Sequence, residues 1–342
     1  MKKFLILLCS ISSIIHVKQA FSQESESFKP SGKIIARSFL EYNAGLNESN
    51  KESGFDITRA FLGYQYSITP SLSGQIIIDA AAGRTSSGSL ETHLRNAFIC
   101  WEDKGFKINA GQIGLLQFSL QEKYWMHRYI MKSFQDLNKM APSVDLGLTA
   151  EYKINSLLAA DISLTNGEGY KNFSKNNSNR YGAGINIIPI KNTIFRLYGD
   201  VYTDSENIRE SAPENSTNVT FKNQYTLSLF AGYQNPIISA GAEFNQVYNK
   251  GMVENKNYYG CSFYTSGKVA DKWRIFARYD LTDSKKPSNF SMPWNDLDGQ
   301  LFIIGTEFHP LKQVKIAPNF RNINLDRGRA EQYIFISAEL NL

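Results

Sequence analysis

From Ser31 to its carboxyl end the chain alternates apolar and polar residues with a period of two, in runs of about ten residues separated by turn-rich connections. Between Asp145 and Lys153, residues Leu146, Leu148, Ala150 and Tyr152 fall on one side, while Asp145, Gly147, Thr149, Glu151 and Lys153 fall on the other. Gln224 to Tyr233 repeats this, with Tyr225, Leu227, Leu229, Ala231 and Tyr233 opposite Thr226, Ser228 and Gly232. In Lys272 to Leu281 the residues Trp273, Ile275, Ala277, Tyr279 and Leu281 oppose Arg274, Arg278 and Asp280. Successive side chains of a strand point to opposite faces, so each run predicts a strand with one greasy and one polar face.

The connections alternate in length. Short ones stand at Thr69 to Ser71, Glu102 to Gly105, Asn155-Ser156, Lys191-Asn192, Gln234 to Pro236, Val269 to Asp271 and Pro310 to Lys312. Longer polar ones stand at Gly45 to Gly54, Gly83 to Leu90, Asn166 to Asn179, Thr203 to Asn223, Asn249 to Asn257, Asp283 to Asp298 and Asn324 to Glu331. Such an order predicts an all-β, antiparallel up-and-down transmembrane barrel of about sixteen strands, with turns on one side of a bilayer and loops on the other. A soluble β-sandwich would alternate too. It has no reason to alternate its connections, and its strands are usually shorter than the roughly ten residues that cross a bilayer on a tilt. A mean hydropathy of −0.32 does not oppose the barrel, because lipid-facing and lumen-facing residues average out. The 22 Phe and 18 Tyr suit aromatic girdles.

The N-terminus assigns a compartment. Lys2 and Lys3, the apolar stretch Phe4 to Val17 and the small residues Ala20 and Ser22 form the three parts of a secretory signal peptide. Residues 1–22 are expected to be cleaved, leaving 23–342 as a single barrel domain. No later run reaches the roughly 18 apolar residues of a spanning helix. Removing Lys2, Lys3 and Lys18 from the formal +5 leaves +2, too little to indicate nucleic acid or another polyanionic partner. Cys100 and Cys261 form neither a disulfide framework nor a metal motif. His93, His127 and His309 match no metal-ligand spacing, and no Gly-x-Ser-x-Gly occurs. Neither an enzyme, a metal nor a cofactor is expected. The last strand, with Ile334, Ile336, Ala338, Leu340 and Leu342 on one face, suits recognition by the barrel-assembly machinery, although the usual aromatic end residue is replaced by Leu342.

Strand parity makes Leu115 to Pro142 the third external loop, and at roughly thirty residues it is the longest connection. Gln121 to Leu137 lacks Gly and Pro and sets Tyr124, Arg128 and Met131 at i, i+4 and i+7, which predicts a short helix. The run Glu122 to Ile130, then Ser133 to Asp136, Asp145-Leu146-Gly147 and Asn166 to Lys171, resembles Bacteroidota porin-type outer-membrane proteins. Phe55 to Leu62, Asp79 and Arg95 to Phe98 are similar to the early strands of the phosphate-selective porin group. The resemblance runs over most of the mature chain. It implies a third loop folded into the lumen, a trimer in the outer membrane, and passage of small hydrophilic solutes. A solute-specific channel, for example for phosphate or another anion, and a non-conducting structural or receptor barrel are the alternatives.

On this reading Glu122, Lys123, Arg128, Lys132 and Asp136 sit in or near a constriction, where field lines focus. Lys123 and Arg128 are read equally as anchors of the loop or as its charged face. Arg37, Arg59, Arg196, Arg274, Arg278 and Arg321 lie on the lumen side of the wall, as do Lys33 and Lys315, among acids that include Glu41, Asp79, Asp161, Asp200, Glu243, Asp280 and Glu339. Such charges can set ion selectivity, but a solvated wall pairing opposite charges across strands is the simpler account of any single one.

Overall fold

In the computed structural model, which describes residues 28–48, 50–172, 177–211, 219–285 and 294–342, the alternating runs become sixteen strands of one closed antiparallel barrel. The first eight are β1 Ser31–Gly45, β2 Ser53–Ser67, β3 Leu72–Arg84, β4 Leu90–Asp103, β5 Phe106–Gly114, β6 Val144–Lys153, β7 Leu158–Thr165 and β8 Arg180–Ile187. The remainder are β9 Thr193–Tyr202, β10 Gln224–Gln234, β11 Ile238–Tyr248, β12 Asn257–Ala270, β13 Trp273–Lys285, β14 Gly299–Leu311, β15 Val314–Leu325 and β16 Glu331–Asn341. Each strand pairs with its sequence neighbour, and β1 closes on β16 in the register Arg37↔Asn341 to Gly45↔Tyr333. Closure leaves no open sheet edge, which is what allows strands to cross hydrocarbon. Among the described residues no helix is long and apolar enough to span a membrane.

The predicted faces hold. Leu148 and Leu229 are 50% and 46% exposed on the outside, whereas Thr149 and Ser228 are 1% exposed on the inside. Outward aromatics gather near both ends of the strands. Tyr66, Trp101, Tyr152, Tyr233 and Trp273 stand near the short turns; Phe55, Tyr181, Tyr225, Tyr248 and Tyr259 stand near the loops. Phe106 stacks on Tyr152 at 3.9 Å and Trp273 on Phe308 at 4.6 Å.

Two expectations are corrected. The connection after β3 is short, residues 85–89, because β3 continues to Arg84 and β4 starts at Leu90. It is tied by Thr85 and Ser89 into a compact turn rather than an extended loop. The inner positions Thr149 and Ser228 do not meet open water. Asn109 donates to Thr149 at 3.0 Å, and Gln135 of the third loop donates to Ser228 at 3.0 Å. The expected signal segment 1–22 lies outside the described residues.

Candidate functional site

The third connection starts where Leu115 N–H donates to Ser143 O at 3.2 Å, pinching its two ends together. A helix, α1 Leu116–Trp125, follows, and a second short one, α2 Phe134–Leu137, lies on the return limb. The predicted helix through 121–137 is therefore broken. Met126 adopts a left-handed backbone (φ 65°), its N–H closes on Glu122 O, and residues 127–133 turn instead of continuing. Arg128 and Met131 thus do not share a helical face with Tyr124.

What breaks the helix is what the segment packs against. Trp125 meets the inward rings of Tyr264 (5.7 Å) and Phe276 (6.2 Å), and Tyr124 meets Phe230 (5.3 Å). Tyr129 reaches Phe39 across at β1 (6.3 Å). With Ile130, Ile194, Leu301, Ile303 and Ala317 these rings form one buried apolar cluster. Aromatic contacts of this kind prefer edge-to-face geometry and add to the stabilisation from burial. Two wall glycines make room. A Cβ on Gly232 would stand 2.7 Å from the Tyr124 ring, and one on Gly260 would overlap the Phe134 ring.

Polar wall groups then satisfy the loop's backbone. Tyr264 donates to Gln121 O (3.1 Å), Ser239 to Tyr124 O (2.7 Å) and Tyr258 to Asn138 O (3.1 Å). Glu307 accepts from Tyr129 (2.8 Å) and engages His127 Nδ1 (3.0 Å) and His309 Nε2 (2.6 Å). His127 is fully buried, and that burial holds its pKa below the ordinary value.

The predicted constriction residues come together, with Lys123 apart. Arg128 bridges Glu122 (3.1 Å) and Asp136 (2.8 Å), so it ties the end of α1 to α2, and Lys132 lies 3.8 Å from Asp136. Lys123 is exposed. Arg128 acts here as an anchor within the loop. Burial lowers the pKa of Lys132 from its ordinary value.

The predicted wall arginines are mostly paired. Arg37 binds Glu339 (2.7 Å), Arg59 binds Asp79, Arg196 binds Asp161 (2.5 Å), Arg278 binds Asp280 (2.6 Å), and Arg321 approaches Glu41 (3.4 Å). Arg274 donates to Ser266 Oγ (3.0 Å) instead. Arg196 and Arg278 have a second task. Their guanidinium groups donate to Leu116 O (3.2 Å) and Lys132 O (2.6 Å), so they hold the third connection as well as an acid.

Arg95 entered the sequence reading only through the family resemblance, not as a site residue. It lies over the Phe61 ring (5.1 Å), donates to Asn96 (2.8 Å) and stands within electrostatic reach of Glu122, Arg128 and Arg59. Sequence reading missed Glu307 and the inward Phe230, Tyr264 and Phe276. A signal was present in the runs Leu229-Phe230-Ala231 and Ile275-Phe276-Ala277, which are apolar on both faces and so need cover on both. Among the described residues, no group of three or more His, Cys, Asp or Glu side chains is arranged to hold a metal ion. Cys100 and Cys261 are unbridged.

No protein-family model matches the chain, and no curated protein matches it in sequence. Solved structures match it in fold. OmpF of Salmonella typhi, in complex with daunomycin, superposes with a TM-score of 0.70 at 12% identity, over 91% of this chain and 97% of that one. The anion-selective porin of Comamonas acidovorans gives 0.66 at 8% identity, over 92% and 100%. OmpT of Vibrio cholerae in its trimer form gives 0.61 at 13% identity, over 92% and 99%. This chain is therefore a closed sixteen-strand antiparallel barrel that resembles outer-membrane porins.

Proposed function

We propose that the protein is an outer-membrane porin, a passive diffusion channel for small hydrophilic solutes or ions, in which the third loop folds into the lumen and narrows it. The observation that carries this reading is the closed barrel with an apolar, aromatic-ended outer face and an inner face lined by charged and amide side chains. A bilayer accounts for the first face, and a wetted passage accounts for the second. The bonds from Arg196, Arg278, Tyr264 and Glu307 to the loop support its placement inside the wall. The aperture is then bounded by Glu122, Arg128, Lys132 and Asp136 on the loop, with Arg59 and Arg95 opposite and the exposed Lys123 at its margin. Arg37, Arg196, Arg274, Arg278 and Arg321 line or brace the rest of the wall.

The same reading includes cleavage of residues 1–22, insertion by the barrel-assembly machinery and assembly as a homotrimer, the last supported by the trimeric relative in fold. The resemblance to Bacteroidota porins and to the phosphate-selective group rests on the sequence runs alone. Liposome swelling tests the function. Vesicles carrying the protein should swell in small sugars at rates that fall with solute size. The Lys123→Glu, Arg128→Glu double variant should shift the reversal potential in a salt gradient toward cations. Vesicles no more permeable than protein-free ones would refute the channel.

A further inference from the structure

Between the return limb of the third loop, residues 167–172 and the turn at Lys250-Gly251 lies a cleft of about 420 Å³. Six cations line it, Arg59, Lys132, Lys139, Lys171, Arg180 and Lys250, against two acids, Asp136 and Glu168. The carboxylates that neutralise Arg59 and Arg180 are Asp79 and Asp200, whose side chains are fully buried in the wall. Lys132 shares Asp136 with Arg128, and Lys171 stands 3.9 Å from Glu91.

Lys139 and Lys250 are different. The Lys250 ammonium donates to the Lys139 carbonyl, which draws the two residues together, and neither has a carboxylate within ion-pair distance among the described residues. Burial, with Arg180 and Lys139 close by, pushes the Lys250 pKa down to about 8. The walls of the cleft are braced. Asp145 accepts from Gly167 N–H (2.5 Å) and Gly169 N–H (3.2 Å), both glycines in left-handed backbone, and Gln224 accepts from Gly251 N–H (3.2 Å). Cations brought together on braced backbone repel one another, and a bound anion is what relieves that repulsion.

We propose that this cleft is a binding subsite for a small multivalent organic anion, one bearing two or more carboxylate or phosphate groups, with Lys139, Lys250 and Arg180 as its principal ligands. Its place on the solute path rests on the channel reading above. The volume admits a molecule the size of a tricarboxylate or a phosphorylated sugar and excludes a folded polyanion. A singly charged ion offsets only one of the convergent positive charges, whereas a multivalent one offsets several. The cleft opens among loops and inward-facing residues, not on the outer apolar face, so a lipid headgroup is not the ligand it fits.

Calorimetry on the purified full barrel in micelles, with citrate, glucose 6-phosphate and chloride as probes, tests the inference directly. Citrate or glucose 6-phosphate should bind at least about tenfold more tightly than chloride, and the Lys139→Gln, Lys250→Gln double variant should lose about tenfold of that affinity. Lys268→Gln, at a short turn beside Asp271, should leave it unchanged. Preference for citrate over glucose 6-phosphate, or the reverse, assigns the carboxylate or phosphate form of the ligand. Equal binding of all three probes, or a double variant that binds as the parent does, overturns the proposal. Conductance separates this from the channel reading. Open channels with neither citrate binding nor citrate block reject the subsite and leave the pore. Citrate binding in a barrel that never conducts supports the subsite and removes the pore.

Discussion

The inner wall differs from one side to the other: β9 to β1 adds inward apolar rings to its charged pairs, such as Arg278 with Asp280, and β2 to β8 is mainly polar. From β9 round to β1 it presents Ile194, Phe230, Tyr264, Phe276, Ile303 and Phe39, which form a dry core with Tyr124, Trp125 and Tyr129 of the third connection. From β2 to β8 it presents polar groups that bond to one another, to loop backbone or to β9: Arg59 pairs with Asp79, Asn109 donates to Thr149, Asp145 accepts from Gly167 N–H, and Asp161 and Arg180 pair with Arg196 and Asp200 of β9. The difference teaches that one barrel interior can serve as a hydrophobic core on one side and as a polar surface on the other. The third loop meets both sides: its aromatic residues pack on the apolar rings, and its charged residues Glu122, Arg128 and Lys132 stand within electrostatic reach of Arg95 or Arg59 on β4 and β2.

The largest effect should come from breaking the dry half. Trp125 is 1% exposed, and its indole N–H donates to Met131 O at 2.9 Å. Trp125→Ala should cost about 3–5 kcal/mol of stability in urea unfolding from micelles, by cavity formation and loss of ring contacts. A cost under about 1 kcal/mol, on the same scale for buried aromatics, would mean that the cluster is not a core.

A second comparison sharpens the inside–outside assignment. Leu229→Arg puts a charge on the outer apolar face and should cost about 2–4 kcal/mol. Ser228→Arg, at the preceding residue, points inward beneath Gln135 and should also be damaging, by about 1–3 kcal/mol through overpacking. Gln75→Arg, on the inner face of the polar half and partly exposed, should cost little. Equal losses at Leu229 and Gln75 would contradict the assignment.

The smallest effect is a pH dependence within the apolar half, where His127 packs on Phe276 and Trp125 beside Glu307. Because burial depresses the His127 pKa, the ring is neutral when the loop is seated and takes up a proton more readily when it is released. Its contribution to seating is complete above the ordinary value of 6.5 and declines as pH falls below it toward the depressed value. Tryptophan fluorescence followed from pH 8 downward, to about 4, should report this through Trp125. His127→Gln should flatten the profile, and an unchanged profile would assign the titration elsewhere.

Much of this was legible in the chain. Period-two runs such as Asp145 to Lys153 fix which residues share a face, and the spacing of turns fixes strand parity, so the third connection could be located. The rest depends on contacts between distant segments. Nothing local to Met126 says that a helix must stop there, since the reason is the seat that Tyr264 and Phe276 offer to Trp125 more than a hundred positions away. Arg196 and Arg278 read as pore charges because their sequence neighbours Phe195, Leu197, Ala277 and Tyr279 belong to the outward apolar face, which leaves the arginines on the inner one. Their bonds to Leu116 O and Lys132 O exist only once the loop has folded back. Lys139 and Lys250 come from different loops, and no spacing brings them together.

Single-channel recording in planar bilayers, on the parent protein and on a variant lacking Gln121 to Asp136, tests the central claim most directly. If the third loop narrows the lumen as proposed, the parent gives discrete ohmic steps and the deletion gives larger ones. Parent steps that the deletion leaves unchanged, or a parent that never conducts, would contradict it.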